Sequence, residues 1–213
     1  TKLLGTLTSI SDQFGFIAKF SADTLVTATK LTEVVGISAE AAGQLAAASE
    51  ATGTSLEQNY ENVLGASYEL QRQKGVQFDL RKILEATAKV TGQVRANLGT
   101  NPELIAKAVT QAKLFGAEMS DIVASSKALL SFEDSIRNEL QAEMLIGRGL
   151  NLERARSAAL MGDMATVAKE IAKQAGDYTD FSKLNVLQQD ALASAIGMQS
   201  DQLSDILFKQ EIQ

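Results

Sequence analysis

This sequence predicts an all-helical fold, an elongated array of helical hairpins without a β-sheet, and three observations carry that prediction. Gly36, Gly53, Gly75, Gly99, Gly116, Gly149, Gly162, Gly176 and Gly197 each close a stretch of helical apolar spacing, and glycine accepts the left-handed backbone in which helices commonly end. A capping residue then follows at nearly every break: Ser38, Thr54 and Ser55, Asp79, Asn101, Asn151, Asp163 and Ser200. Their side-chain oxygens suit the start of a new helix. Finally, no segment shows the strict alternation of a half-buried strand.

Taken in order, residues 1–36 predict one long amphipathic helix. Leu3, Leu7, Ile10, Phe14 and Ile17, then Ala28, Leu31 and Val35, recur at spacings of four and three. Such a heptad seam fits either a helix packed on its own neighbours or a short oligomerising stalk. Ser21 and Thr24 sit at its centre, and charged flanking partners are scarce.

The region 37–149 predicts helical hairpins. Ser38 to Ala51 forms an Ala-rich helix with Glu40 in its first turn, where a negative charge suits the dipole. Ala41, Ala42, Ala46 and Ala47 let another backbone come close. Leu56, Tyr60, Val63, Leu64 and Leu70 stripe the next helix, and Leu80, Ile83, Leu84, Val90, Val94 and Leu98 its antiparallel successor. Pro102, the only proline, falls in the first turn after Asn101, a position where its missing N–H costs nothing. Leu104, Ile105, Ala108, Val109, Ala112 and Leu114 continue that face. One uninterrupted helix is expected over about 119–146, its apolar pattern running through Ile122, Leu129, Phe132, Ile136, Leu140 and Met144. Region 150–213 predicts short helices at Leu152 to Met161, Met164 to Ala175, Asp180 to Ile196 and Ser200 to Phe208. The glycines keep no fixed period, which argues against a solenoid.

Composition narrows the chemistry. Of 213 residues 45% are hydrophobic, but much of that is alanine, aromatics are 5% and tryptophan is absent. Each helix therefore buries little area, which favours an extended array or an oligomer. Cysteine and histidine are both missing, which removes disulfides, thiolate nucleophiles, imidazole bases and ordinary zinc sites together. A net charge of -6 does not suit a dedicated nucleic-acid binder. The basic residues Arg72, Lys74, Arg81 and Lys82 flank a turn with Asp79 among them, the pattern of a solvated surface. No apolar run is long enough to span a bilayer, and no signal segment opens the chain. Beginning on Thr and ending in an apolar stretch, the chain is expected to be an ordered piece of a longer polypeptide.

No catalytic, cofactor-binding or metal-binding residue is assigned. Glu133 and Asp134 are adjacent on a helix and point about 100° apart, so they cannot embrace one substrate. Glu139 and Glu143 share a face at i and i+4, which predicts a wet surface; a metal site would need further ligands. Gly147-Arg148-Gly149 follows a helix instead of a strand and lacks the rest of a nucleotide loop, so it predicts a helix stop.

Two blocks carry a family resemblance. Val34-Val35-Gly36-Ile37-Ser38-Ala39-Glu40-Ala41-Ala42 resembles a turn-and-helix unit that recurs in bacteriophage tail tape measure proteins. A second block, from Phe132-Glu133-Asp134-Ser135-Ile136 through Gly149-Leu150-Asn151-Leu152-Glu153-Arg154-Ala155-Arg156 to Ala159-Leu160-Met161-Gly162-Asp163, is similar to segments of tape measure proteins of large contractile-tailed phages. Phe181-Ser182-Lys183-Leu184-Asn185-Val186-Leu187-Gln188-Gln189-Asp190-Ala191-Leu192, with Ala195-Ile196-Gly197-Met198 and Ser200, continues the likeness.

The resemblance implies a structural protein of the virion, held in the tail tube lumen or tail tip, that sets tail length, takes part in tail assembly and leaves before the genome. It implies self-association, a trimer foremost, with tail tube and baseplate hub proteins as partners. It supplies no functional residue. Frequent glycine breaks after Gly36 depart from an unbroken ruler helix and suit a folded end module. No Glu-Ser pair of the transglycosylase type occurs, so no wall-degrading activity is expected in this piece. The alternative is a monomeric helical adaptor whose grooves take a partner helix.

Overall fold

The computed structural model describes residues 20–77, 79–90 and 101–212, together with Thr8. These residues form α-helices and no strand. The helices are α1 (Ala22–Lys30), α2 (Ala39–Thr52), α3 (Leu56–Lys74), α4 (Leu80–Ala88), α5 (Pro102–Leu114), α6 (Met119–Leu130), α7 (Phe132–Ile146), α8 (Glu153–Met161), α9 (Met164–Ala175), α10 (Tyr178–Ser182), α11 (Val186–Ala195) and α12 (Ser200–Glu211). The chain divides into two compact units, residues 1–107 and 108–213, with the boundary inside α5.

The punctuation is largely as the sequence predicts. Gly36, Gly53, Gly75, Gly116, Gly162, Gly176 and Gly197 have positive φ, and Ser38, Ser55, Asp79 and Asp163 each accept a backbone N–H at a helix start. Asn101 and Asn151 likewise accept the N–H groups of Glu103 and Glu153. Gly147 takes the left-handed cap that the sequence reading gave to Gly149. Gly99 lies outside the described residues, as do Val94 and Leu98.

Three elements differ from expectation. The single helix over 1–36 is interrupted: Phe20 and Ser21 are not helical, and the Ser21 hydroxyl accepts the Thr24 N–H at 3.0 Å as the N-cap of α1. A capping serine ends a seam even where the apolar spacing continues. The described end of that seam is internal, with Ala28 and Leu31 buried in their own unit; Leu3, Leu7, Ile10, Phe14 and Ile17 lie outside the described residues. From Leu31 to Val35 the helix widens into a π turn that ends on Gly36.

The helix expected over 119–146 is two helices. Ser131 has φ -77 and ψ 72, off the helical region, and its carbonyl opens α7 by accepting the Ser135 N–H at 2.8 Å. The segment expected from Asp180 to Ile196 is also split, because Asn185 and Gln188 form a reciprocal capping box that starts α11 afresh.

In the first unit α1 packs on α2 and α3, and α2 packs on α3 and α4. The interior is built from small and medium side chains: Ala41, Ala42 and Ala46 of α2, Leu56 and Val63 of α3, and Ile83 and Leu84 of α4. A polar pin joins α2 to α3. The buried Asn59 amide donates to Ser49 Oγ at 2.7 Å and accepts from Thr54 Oγ1 at 2.8 Å. In the second unit α8 packs on α6 and α9, α12 on α10 and α11, and α7 chiefly on α11. Two glycines set its closest approaches. A Cβ on Gly197 would stand 2.6 Å from Ala128 Cβ, and one on Gly116 only 2.4 Å from the Ile206 carbonyl oxygen.

Candidate functional site

Helix α7 is turned against its own pattern. Its inward residues are Ser135, Glu139 and Ala142, whereas Phe132, Ile136, Leu140 and Met144 are 46%, 46%, 54% and 84% exposed. These four belong to the apolar pattern of the single helix expected over about 119–146. The break at Ser131 resets the helical phase, so the stripe of α6, with Ile122 and Leu129 buried, does not continue onto α7. The result is a ridge of four large apolar side chains, one every four residues.

What holds α7 in this orientation is a polar clasp on its inner side. Glu139 Oε2 accepts from Arg156 Nη1 at 2.6 Å, with both side chains largely out of water at 10% and 13% exposure. Glu139 Oε1 accepts the buried Leu152 N–H at 2.8 Å, and Arg156 Nη1 also donates to Ser135 Oγ at 3.2 Å. One turn on, Glu143 Oε1 accepts the Leu150 N–H at 2.7 Å. The two carboxylates therefore satisfy backbone donors of the connection between α7 and α8, where no intrahelical partner exists. The wet face expected for Glu139 and Glu143 is corrected to a bonded one, with Glu139 buried and Glu143 half-buried. Spacing at i and i+4 showed that they share a side; it could not show that a glycine-terminated loop folds back beneath them.

The same connection is anchored from α9. Arg148 Nη2 donates to the Gln174 carbonyl, Gln174 Oε1 accepts the Asn151 N–H at 3.2 Å, and Arg154 Nε lies 3.2 Å from the buried Glu170. Gly147-Arg148-Gly149 is thus a helix stop, with its arginine engaged by a neighbouring helix.

On the other flank α7 meets α11 through small residues. Asn138 Nδ2 donates to the Ser194 carbonyl at 3.5 Å on a helix whose Ala191, Leu192, Ala193 and Ala195 are buried, and Gln188 Nε2 donates to the Leu145 carbonyl at 2.8 Å. A groove of about 360 Å³ runs between them, lined by Asn138, Gln141, Leu145, Leu187, Asp190, Ala191 and Ser194.

The remaining charges are superficial. Glu133 and Asp134 both pair with Arg137, at 2.7 and 2.9 Å, on the open side of α7. Arg72, Arg81 and Lys82 are exposed. Among the described residues no three metal-ligating side chains converge, and no helix is long and apolar enough to cross a membrane. The feature that calls for a function is the ridge. A contiguous run of exposed large apolar side chains is the usual mark of a surface that meets another macromolecule. Neither the models of known protein families nor the curated proteins give a match to this chain.

Proposed function

We propose that this chain is a non-enzymatic structural module of a bacteriophage tail tape measure protein. It packs in the tail tube or tail tip, contributes to tail length determination, tail assembly and genome ejection, and meets tail tube and baseplate hub proteins as well as copies of itself. The observation that carries the reading is the outward ridge Phe132, Ile136, Leu140 and Met144. It lies in the block, Phe132 to Asp163, on which the resemblance to tape measure proteins rests. A module that works by interlocking needs an apolar helix face left open by its own fold, and this block supplies one.

The test uses the virus that encodes the chain. Mass spectrometry of purified particles is expected to recover the chain from tails, and Leu140→Asp, placed on the ridge, is expected to reduce the number of complete tails seen by negative-stain microscopy. Particles free of the chain, or normal tails from the ridge variant, overturn the reading.

The monomeric adaptor is favoured by one observation of its own: Ala28 and Leu31, the described end of the heptad seam, are buried within the chain and not offered to another copy.

A further inference from the structure

The groove between α7 and α11 is closed by a hydrogen bond at each end. Gln188 Nε2 donates to the Leu145 carbonyl at one end and Asn138 Nδ2 to the Ser194 carbonyl at the other, so the two helices run antiparallel. Asn138, Gln141 and Leu145 line one wall at i, i+3 and i+7, and Leu187, Asp190 and Ser194 line the other at the same spacing. The groove is therefore about two helical turns, or about 10 Å, long.

Its chemistry is one-sided. Leu145 and Leu187, both exposed, make one end apolar. Beyond them lie oxygens. Asp190 is the only charged residue of α11, and among the described residues no cation pairs with it. The Ser200 hydroxyl donates to its Oδ1 and leaves Oδ2 open. Asn138 uses its N–H on the Ser194 carbonyl and keeps its Oδ1 as an acceptor. Arg137, the only cation of α7, is held by Glu133 and Asp134. The groove thus offers a carboxylate and neutral acceptors with no cation of its own.

We propose that this groove receives an arginine from a helix of a partner protein, with the guanidinium on Asp190 and an apolar residue one turn away on Leu145 and Leu187. Charge complementarity carries the choice. An uncompensated carboxylate beside acceptor oxygens repels an acidic segment and matches a group that is always charged and presents five donors in one plane. Lysine brings the charge without the planar fork. The arginine stem lies on Ala191 at the floor while its head stays at the wet end. Spacing selects a helix as the carrier, because an apolar residue and an arginine four residues apart span about 6 Å, the rise from Leu187 to Ala191. Neither the ridge nor membership of a phage tail is needed for this contact.

The probe is a capped, alanine-based helical peptide with one leucine and, four residues on, one arginine, titrated into the whole chain labelled with nitrogen-15. So small a contact sets weak, transient binding. The side-chain amide signals of Asn138 and Gln141 are expected to shift and to saturate with a Kd on the order of 100 μM. Asp190 is exposed, so Asp190→Asn is expected to keep helix content and to weaken binding about fivefold. A lysine peptide is expected to bind about twofold more weakly, and a glutamate peptide not to saturate by about 1 mM. Ser200→Ala removes the bond to Asp190 and keeps the carboxylate, and is expected to bind at least as tightly as wild type.

No shift with about 1 mM arginine peptide overturns the proposal, as does binding that Asp190→Asn leaves unchanged or that the glutamate peptide reproduces. N-acetylarginine amide binding as tightly as the peptide overturns the helix as the occupant.

Discussion

Replacing Glu139 by alanine tests the claim that a buried clasp, and not apolar burial, orients α7. The substitution removes the acceptor of two donors at once: Arg156, 2.6 Å away and itself largely out of water, and the Leu152 N–H at 2.8 Å. Breaking a buried ion pair from one side typically costs 3–5 kcal/mol, and an unpaired buried backbone donor 1–3 kcal/mol, but the two overlap. Arg156 keeps Ser135 as a partner, and water can follow a shortened side chain, so the expected loss is about 3 kcal/mol. For a unit of about a hundred residues that is a fall in Tm of about 12 °C.

Urea unfolding followed by circular dichroism measures it, provided the slope stays that of wild type. Glu139→Gln keeps an acceptor for Leu152 and loses the charge, and is expected to fall midway. Combining Glu139→Ala with Arg156→Ala is expected to cost less than the sum of the two by about 1–2 kcal/mol, because the second change removes the stranded charge. A Glu139→Ala loss under about 1 kcal/mol, or strict additivity, would refute the reasoning and return Glu139 to the wet surface the sequence suggested.

Other outcomes follow from the packing. Gly197→Ala puts a Cβ 2.6 Å from Ala128 Cβ at a residue with φ +75, and is expected to lose about 3 kcal/mol from overlap and backbone strain together. Gly147→Ala, at the same φ with nothing within 4 Å, should lose only about 1 kcal/mol; equal losses in the same unfolding assay would mean the close approach is not rigid. Asn59→Ala removes the bonds that tie Ser49 and Thr54 across α2 and α3, leaving each hydroxyl only its local partner, Leu45 or Thr52, and is expected to cost about 1–2 kcal/mol, read from the unfolding midpoint of the chain. Lys107 titrates above the usual lysine value, first because Glu103 accepts its hydrogen bond at 2.7 Å, an effect burial opposes and the charges of Glu103 and Glu69 assist. A raised folded-state value means that the stabilisation is present below the ordinary lysine pKa and lost as pH rises through the folded one. Wild type and Glu103→Gln, differing at neutral pH by less than about 1 kcal/mol, are therefore expected to converge in unfolding midpoint as the pH rises through the folded-state lysine value.

The helical class and most boundaries were legible because glycine stops and capping starts are local chemistry. Met164–Ala175 lies between Asp163 and Gly176, and both end signals stand in the sequence. Two signals of the same kind were present and outweighed by apolar spacing. Ser21 caps α1 in the middle of a heptad seam, and Ser131-Phe132-Glu133-Asp134 has the serine and acidic residue of a helix start inside what the spacing joined into one helix. The orientation of α7 was not legible. It depends on Arg156 and on the Leu150 and Leu152 N–H groups, which reach Glu139 and Glu143 only once the chain has turned at Gly147.

That orientation carries a cost. The ridge leaves on the order of 400 Å² of apolar surface in water, about 10 kcal/mol of burial that the unit forgoes. Turning α7 by about 120° about its axis would bury Ile136, Leu140 and Met144, but it would strand Arg156 and two backbone donors and press large side chains into the contact that α7 makes with α11 at Asn138. Either the clasp or the small-residue contact holds the helix. Replacing the ion pair by apolar residues, Glu139→Met with Arg156→Leu, separates them, since such replacements often leave stability unchanged or raise it. If the clasp sets the orientation, a cysteine introduced at Leu140 in that background is expected to react with a thiol reagent several-fold more slowly than in wild type. Unchanged labelling would assign the orientation to the α11 contact, and leave the clasp the narrower task of closing the turn between α7 and α8.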